Sequence, residues 1–245
     1  MINDKEGLEV SAAQNARIIK EHFGLKEDIP NTLVVLGTNS KGMTALEGEN
    51  SLALSALQGF DTLIGLQGHK RQISLYKVKN NSAFIMSGRI HANEAPYDKN
   101  VLMMVRLQIE MFMHLGVKQF ILTNAAGGLT TSVKVGSVNI ANGFCTVFSP
   151  VRPLFGGEFV NTDNVLLSRL QKVAIDAAQQ AKIKAVRGWY ILWNGPAFEG
   201  EMYDKPMICM LAEMLNERQH RNLRCIGMST VHEASVIATK KDTAV

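Results

Sequence analysis

Four short stretches carry residue types that hold anions or planar rings, and each follows directly on an apolar run. Ser87-Gly88-Arg89-Ile90-His91 sets a guanidinium and an imidazole two residues apart, which in extended chain turns both to the same side. The planar fork of Arg89 matches two phosphate oxygens, and His91 can donate or accept a third contact. Thr123-Asn124-Ala125-Ala126-Gly127-Gly128 is a run of small residues that lets a ligand approach the backbone and meet its N–H groups. Gly195-Pro196-Ala197-Phe198-Glu199 offers a ring to stack on and a carboxylate to accept a ring N–H. Gly227-Met228-Ser229-Thr230-Val231-His232-Glu233 supplies a hydroxyl, a flexible apolar wall and a helix start, where anions are favoured. Each stretch also has a plainer reading: a surface Arg-x-His triplet, a tight turn, a chance Phe-Glu pair, and structural roles for His232 and Glu233.

A fifth loop, Gly37 to Thr44, comes within one residue of the phosphate loop of nucleotide triphosphatases. That loop needs Lys directly after its second glycine to reach the β and γ phosphates, and Met43 stands there. What is left is a loop whose hydroxyls and backbone N–H groups suit one small anion. Metal chemistry is not expected, because the six histidines form no helical His-x-x-x-His pair and no cysteine pair has zinc spacing.

These loops need a frame that brings them together. Leu33-Val34-Val35-Leu36, Phe84-Ile85-Met86, Phe120-Ile121-Leu122, Tyr190-Ile191-Leu192 and Cys225-Ile226 are short apolar runs of the kind found in buried strands, and each stops at small or polar residues. Helical spacing runs over residues 11–23, 101–115 and 165–181. Strands alternating with helices predict an α/β fold with a mixed, largely parallel central sheet flanked by helices. In such folds ligands bind beyond the carboxyl ends of the strands, so Thr38, Arg89 with His91, Asn124 to Gly128, Glu199, and Met228 with Ser229 converge as anion donors plus one carboxylate.

The 245 residues are 46% hydrophobic, enough to bury roughly 70–75% of the unfolded surface in one core. No linker, repeat or low-complexity run divides the chain, so a single domain over 1–245 is expected. The net charge of +4 is scattered and not gathered on one element with aromatic partners, which argues against nucleic acid. Cys145, Cys209 and Cys225 lie far apart among apolar neighbours and read as buried thiols in a reducing compartment. With no signal-like start and no run near the ~20 apolar residues of a membrane span, the chain reads as soluble and cytoplasmic.

In order and spacing, the motifs at 88–91, 124–128, 195–199 and 227–233 resemble those of the trimeric purine nucleoside phosphorylases, a family that includes xanthosine-cleaving members and the related methylthioadenosine phosphorylases. The likeness runs from about Leu33 to Ile237. It implies phosphorolysis of purine nucleosides to free base and ribose 1-phosphate, with inorganic phosphate as co-substrate, no cofactor, and a homotrimeric assembly. It further implies phosphate held by Thr38, His69, Arg89, His91, the backbone of Ala125, and Ser229. The nucleoside would meet Tyr190, Phe198, Glu199 and Met228, with His91 and Glu199 as the catalytic pair. Glu199 suits 6-oxopurines, whose ring N–H it can accept.

Three departures from the family pattern accompany this. Gly37-Thr38-Asn39-Ser40-Lys41 replaces a small glycine-rich loop, a change expected either to narrow the phosphate site or to bring Lys41 over it. Asn93 replaces an aromatic residue that touches the ribose. Family members also continue into a strand carrying a base-binding Asn and a helix carrying a His for the sugar 5′-hydroxyl, and the sequence ends at Val245 with neither. The segment from Phe144 to Asn164 is short, leaving Phe155 or Phe159 as the aromatic that reaches a neighbouring site. The alternative expectation is therefore a homologue that binds phosphate or nucleoside with little or no catalysis.

Overall fold

The computed structural model describes residues 5–37, 50–60, 70–79, 81–131, 133–149, 151, 154, 160–162, 165–194, 204–219, 222–240 and 242–245. The chain forms two compact units, one of Met1–Ala125, Arg152–Val165 and His232–Val245, the other of Ala126–Val151 and Leu166–Val231.

The first unit holds α1 (Lys5–His22), β1 (Thr32–Leu36), β2 (Ser51–Ala53), a 3₁₀ turn (Leu54–Ala56), β3 (Gln72–Val78), β4 (Asn81–Ser87), α2 (Lys99–Leu115) and β5 (Gln119–Leu122). Its five-stranded sheet runs β2-β3-β4-β1-β5. β1 is parallel to both β4 and β5, with Val35 opposite Met86 and Leu122, whereas β2-β3-β4 is antiparallel. The sheet is thus mixed, and its three parallel strands end at one edge.

Helix α2 starts at Asp98, whose side chain accepts from the Asn100 N–H at 2.8 Å, and stops at Gly116 in the left-handed region, the usual way to satisfy helix ends. Every residue from Val101 to Met113 is buried, so its polar members need internal partners. Arg106 Nε reaches Glu110 Oε1 at 2.5 Å and Arg106 Nη1 donates to the Leu154 carbonyl. Phe112 packs its ring 5.4 Å from that of Phe84 in β4, each buried Phe contributing about 1.5–3 kcal/mol. On α1, Leu8, Ala12, Ala16 and Ile19 form the inner stripe, and Asn15 between them clasps the Gln58 backbone, accepting from its N–H at 2.8 Å and donating to its carbonyl at 2.9 Å.

The second unit holds β6 (Gly127–Gly128), β7 (Val138–Cys145), α3 (Ser168–Gln180), β8 (Ala185–Leu192), α4 (Asp204–Gln219) and β9 (Leu223–Gly227). Its sheet runs β6-β9-β8-β7, parallel except for β6. Leu129, Ile191, Ile208, Ala212, Leu223 and Ile226 make one core cluster, and Tyr190, Leu192, Cys225 and Val231 another. The register of β7 slips between Ala141 and Phe144, where a Cβ on Gly143 would come 2.5 Å from the Trp189 ring; a glycine there lets the indole lie against the strand. Helix α5 (Val231–Ile237) follows β9.

The α/β class and mixed pairing agree with the expectation, but the strands fall into two hydrogen-bonded sheets, not one. Residues 165–167, expected to begin a helix, precede α3, and α4 was not foreseen because Met207, Met210 and Met214, on its exposed face, blur its apolar stripe. All three cysteines are free, but only Cys225 is buried as expected, Cys145 and Cys209 being half-buried at the rim of the core; burial raises the Cys225 thiol to about 11, which keeps it protonated and inert. Among the described residues no helix is long and apolar enough to cross a membrane, and no group of three or more His, Cys, Asp or Glu could hold a metal ion.

Candidate active site

Because β4, β1 and β5 are parallel neighbours, the residues that follow them meet at one edge of the first unit's sheet. Gly37 follows β1, Gly88 and Arg89 follow β4, and Thr123 to Ala125 follow β5. Gly37 makes the meeting possible: a Cβ there would lie 2.7 Å from the Thr123 carbonyl oxygen, 2.8 Å from Asn124 Cα and 3.2 Å from Arg89 Nη2. The Thr123 hydroxyl ties β1 to β5, accepting from the Gly37 N–H at 3.1 Å and donating to the Val35 carbonyl at 3.0 Å. Gly37→Ala is therefore expected to cost about 1–3 kcal/mol through backbone displacement, read as a lowered urea midpoint.

Arg89 is fully buried. Its Nη2 donates to the Thr123 carbonyl and its Nη1 lies 3.1 Å from Glu233 Oε1. Glu233 is equally buried. Burial alone would raise its carboxyl, but the Arg89 guanidinium, then His91, a bond to the backbone and His232 outweigh that and hold it below the usual carboxylate range. The result is a cation fixed in a water-poor place and balanced by one carboxylate, the arrangement that makes a buried charge tolerable.

The loop beyond Arg89 is braced in turn. Glu94 Oε1 accepts from the His91 N–H at 2.8 Å while its Oε2 takes Arg71 Nη2 at 2.6 Å, both side chains nearly buried. Asn124 Nδ2 donates to the Ala125 carbonyl at 2.8 Å. His91 is half-buried and Ala125 exposed.

In the second unit, Tyr190 is buried on β8 with its ring edge-on to Phe144 at 6.4 Å. Met228 and Ser229 follow β9, half-buried and buried respectively. The next residue, Thr230, is buried with φ 84°, a conformation a β-branched side chain adopts at a cost of about 1–3 kcal/mol and keeps only where its surroundings impose it. Thr38, His69, Phe198 and Glu199 lie outside the described residues, as do Lys41, Phe155 and Phe159.

Residues 33–239 match the phosphorylase superfamily. The chain belongs to that superfamily. Among relatives of this phosphorylase, the purine nucleoside phosphorylase of Mycobacterium leprae is 30% identical over 225 residues, covering 91% of this chain and 75% of the relative. Purine nucleoside phosphorylase 1 of Geobacillus stearothermophilus is 28% identical over 232 residues, covering 91% and 77%. A crystal structure of a purine nucleoside phosphorylase with ribose 1-phosphate superposes with a TM-score of 0.74 at 22% identity, over 95% of this chain and 83% of that one. The Schistosoma mansoni enzyme with adenosine gives 0.72 at 22% identity, over 95% and 80%. At that identity the structures establish a common fold.

Two supports of the loop after β4, Glu94 and Arg71, were not foreseen. Glu94 carried a signal, since a carboxylate three residues after His91 can bond back to its amide, as in a capping box. Arg71, with φ 53° and 23 residues before Glu94, carried none. Glu233 sits beside Arg89 across 144 residues of sequence, and its structural role takes the form of a counter-charge.

Proposed function

We propose that this phosphorylase cleaves purine nucleosides with inorganic phosphate, giving free base and ribose 1-phosphate. The observation that carries the reading is the buried Arg89–Glu233 pair at the carboxyl ends of three parallel strands, in a chain belonging to the phosphorylase superfamily and 30% identical to a purine nucleoside phosphorylase.

In this reading Arg89 and His91 grip phosphate together with Thr38, His69, the Ala125 backbone and Ser229. A phosphate oxygen forms the new bond to C1′ as the bond from C1′ to the base nitrogen breaks. The pentose passes through an oxocarbenium-like state beside the fixed anion, so positioning and charge stabilisation lower the barrier. Glu199 accepts the ring N–H of a 6-oxopurine, Phe198 lies against the base, and Tyr190 and Met228 face the sugar. The reaction balances with phosphate alone, without cofactor or metal. A cytoplasmic homotrimer in purine salvage is the proposed setting; Val147 and Phe148 are exposed apolar side chains available for contact between copies.

The test is release of base from inosine, guanosine and adenosine by the purified chain, with and without inorganic phosphate. Phosphate-dependent release is expected, and release that ignores phosphate, or binding without turnover, overturns the reading. Glu199→Gln is expected to reduce kcat/KM for inosine and guanosine by about 10²-fold or more while adenosine changes far less; equal losses count against the role of Glu199.

A further inference from the structure

Between Arg89 and His91 lies Ile90, and both polar groups of its backbone are held by one side chain. The Ile90 N–H donates to Gln108 Oε1 at 2.9 Å, and Gln108 Nε2 donates to the Ile90 carbonyl at 3.0 Å. Gln108 has no exposed surface, and Ile90 is buried as well. A carboxamide bonded both ways to one residue fixes the planes of two successive peptides, the one that leaves Arg89 and the one that enters His91. One helical turn further along α2, Phe112 packs its ring at a tilt against Phe84 of β4, so the same helix face that holds the strand also holds the loop beyond it.

On the side of Arg89 the backbone is tied by the Gly88 N–H, which donates to the Leu36 carbonyl at 3.2 Å, and the side chain by Glu233 and the Thr123 carbonyl, so the clasp is what fixes the peptide planes between them. Gly88 lies at φ 82°, a conformation with little side-chain constraint. On the other side His91 is held through Glu94. We infer that Gln108 is a positioning residue for phosphate: by clasping Ile90 it sets the directions in which Arg89 and His91 present their donors to the anion. This rests on the phosphorylase reading above. Gln108 never touches the anion, and its influence passes through two peptide planes. A displacement of about 1 Å at a positioning contact can cost up to 10²-fold in rate.

Two variants test it. Gln108→Met keeps the volume of the side chain but neither hydrogen bond; Gln108→Glu keeps the acceptor for the Ile90 N–H and loses the donor. In steady-state kinetics Gln108→Met is expected to raise the phosphate KM about tenfold, leaving the nucleoside KM within about twofold. Gln108→Glu is expected to fall between it and wild type. A folded Gln108→Met with unchanged phosphate KM, or with both KM values raised equally, overturns the inference. Where Gln108→Met does not fold, Gln108→Glu is judged by the same criteria, and failure of both to fold also overturns it, since positioning requires a surviving fold. A wild-type chain without phosphate-dependent turnover overturns the phosphorylase reading instead. Calorimetric titration of inorganic phosphate then decides the role of Gln108 separately: weaker binding by the variant supports it and equal binding overturns it.

Discussion

Glu233→Gln is expected to destabilise the protein by about 3–5 kcal/mol, the cost of leaving a buried guanidinium without its counter-charge. The two side chains expose 0% and 2% of their surface, so water cannot take over the role of the carboxylate. Against a total stability of about 5–15 kcal/mol, the loss is large, and the urea midpoint reports it. A double variant, Arg89→Met with Glu233→Leu, is expected to recover much of it, because two apolar side chains of similar volume need no compensation. If the double variant is as unstable as the sum of the single ones, the pair acts through shape and not charge.

The same pair sets a pH dependence. The Glu233 carboxyl is held below its ordinary range in the fold, so its contribution is fully present above the unfolded value of about 4.3 and is lost as pH falls through the folded value. Stability measured from pH 6 downward is expected to fall more steeply in wild type than in Glu233→Gln, and the two curves to approach each other in acid.

Arg89→Lys is expected to lower kcat/KM for phosphate by about 10²–10³-fold, with much less loss of stability than Glu233→Gln. Lysine keeps a positive charge for Glu233 but replaces the planar fork by a single ammonium, so it separates charge balance from anion geometry. The Arg89 fork is held by Glu233 at one end and the Thr123 carbonyl at the other; an ammonium cannot span both and also present donors in a fixed plane. Activity within a few-fold of wild type would mean that phosphate does not rely on the fork. Arg89→Ala is the less informative change, because it also strands the buried carboxylate.

Local order was legible where one short signal sufficed. Leu33 to Leu36, Phe84 to Met86 and Phe120 to Leu122 read as buried strands because each is apolar on both faces, and the strands extend them by only a residue or a few. The position of Arg89 and His91 just past a strand was legible for the same reason. The antiparallel hairpin of β3 with β4 was not: the Ser74 and Lys77 of β3 interrupt its apolar pattern, and its pairing partner supplies what the strand itself lacks. The long helix over 101–115 was visible, yet the sequence presents Arg106, Gln108 and Glu110 as polar positions for solvent, and the fold buries all three.

Composition and periodicity thus determined the α/β class and which segments end strands, because burial on two faces and strand ends leave local traces in residue type. Only the tertiary structure decided the division into two sheets, the Glu233 counter-charge, the Glu94–Arg71 brace and the Gln108 clasp. Those depend on groups separated by 18 to 144 residues, and a partner at that distance is chosen by the packing of whole elements, which no local pattern records.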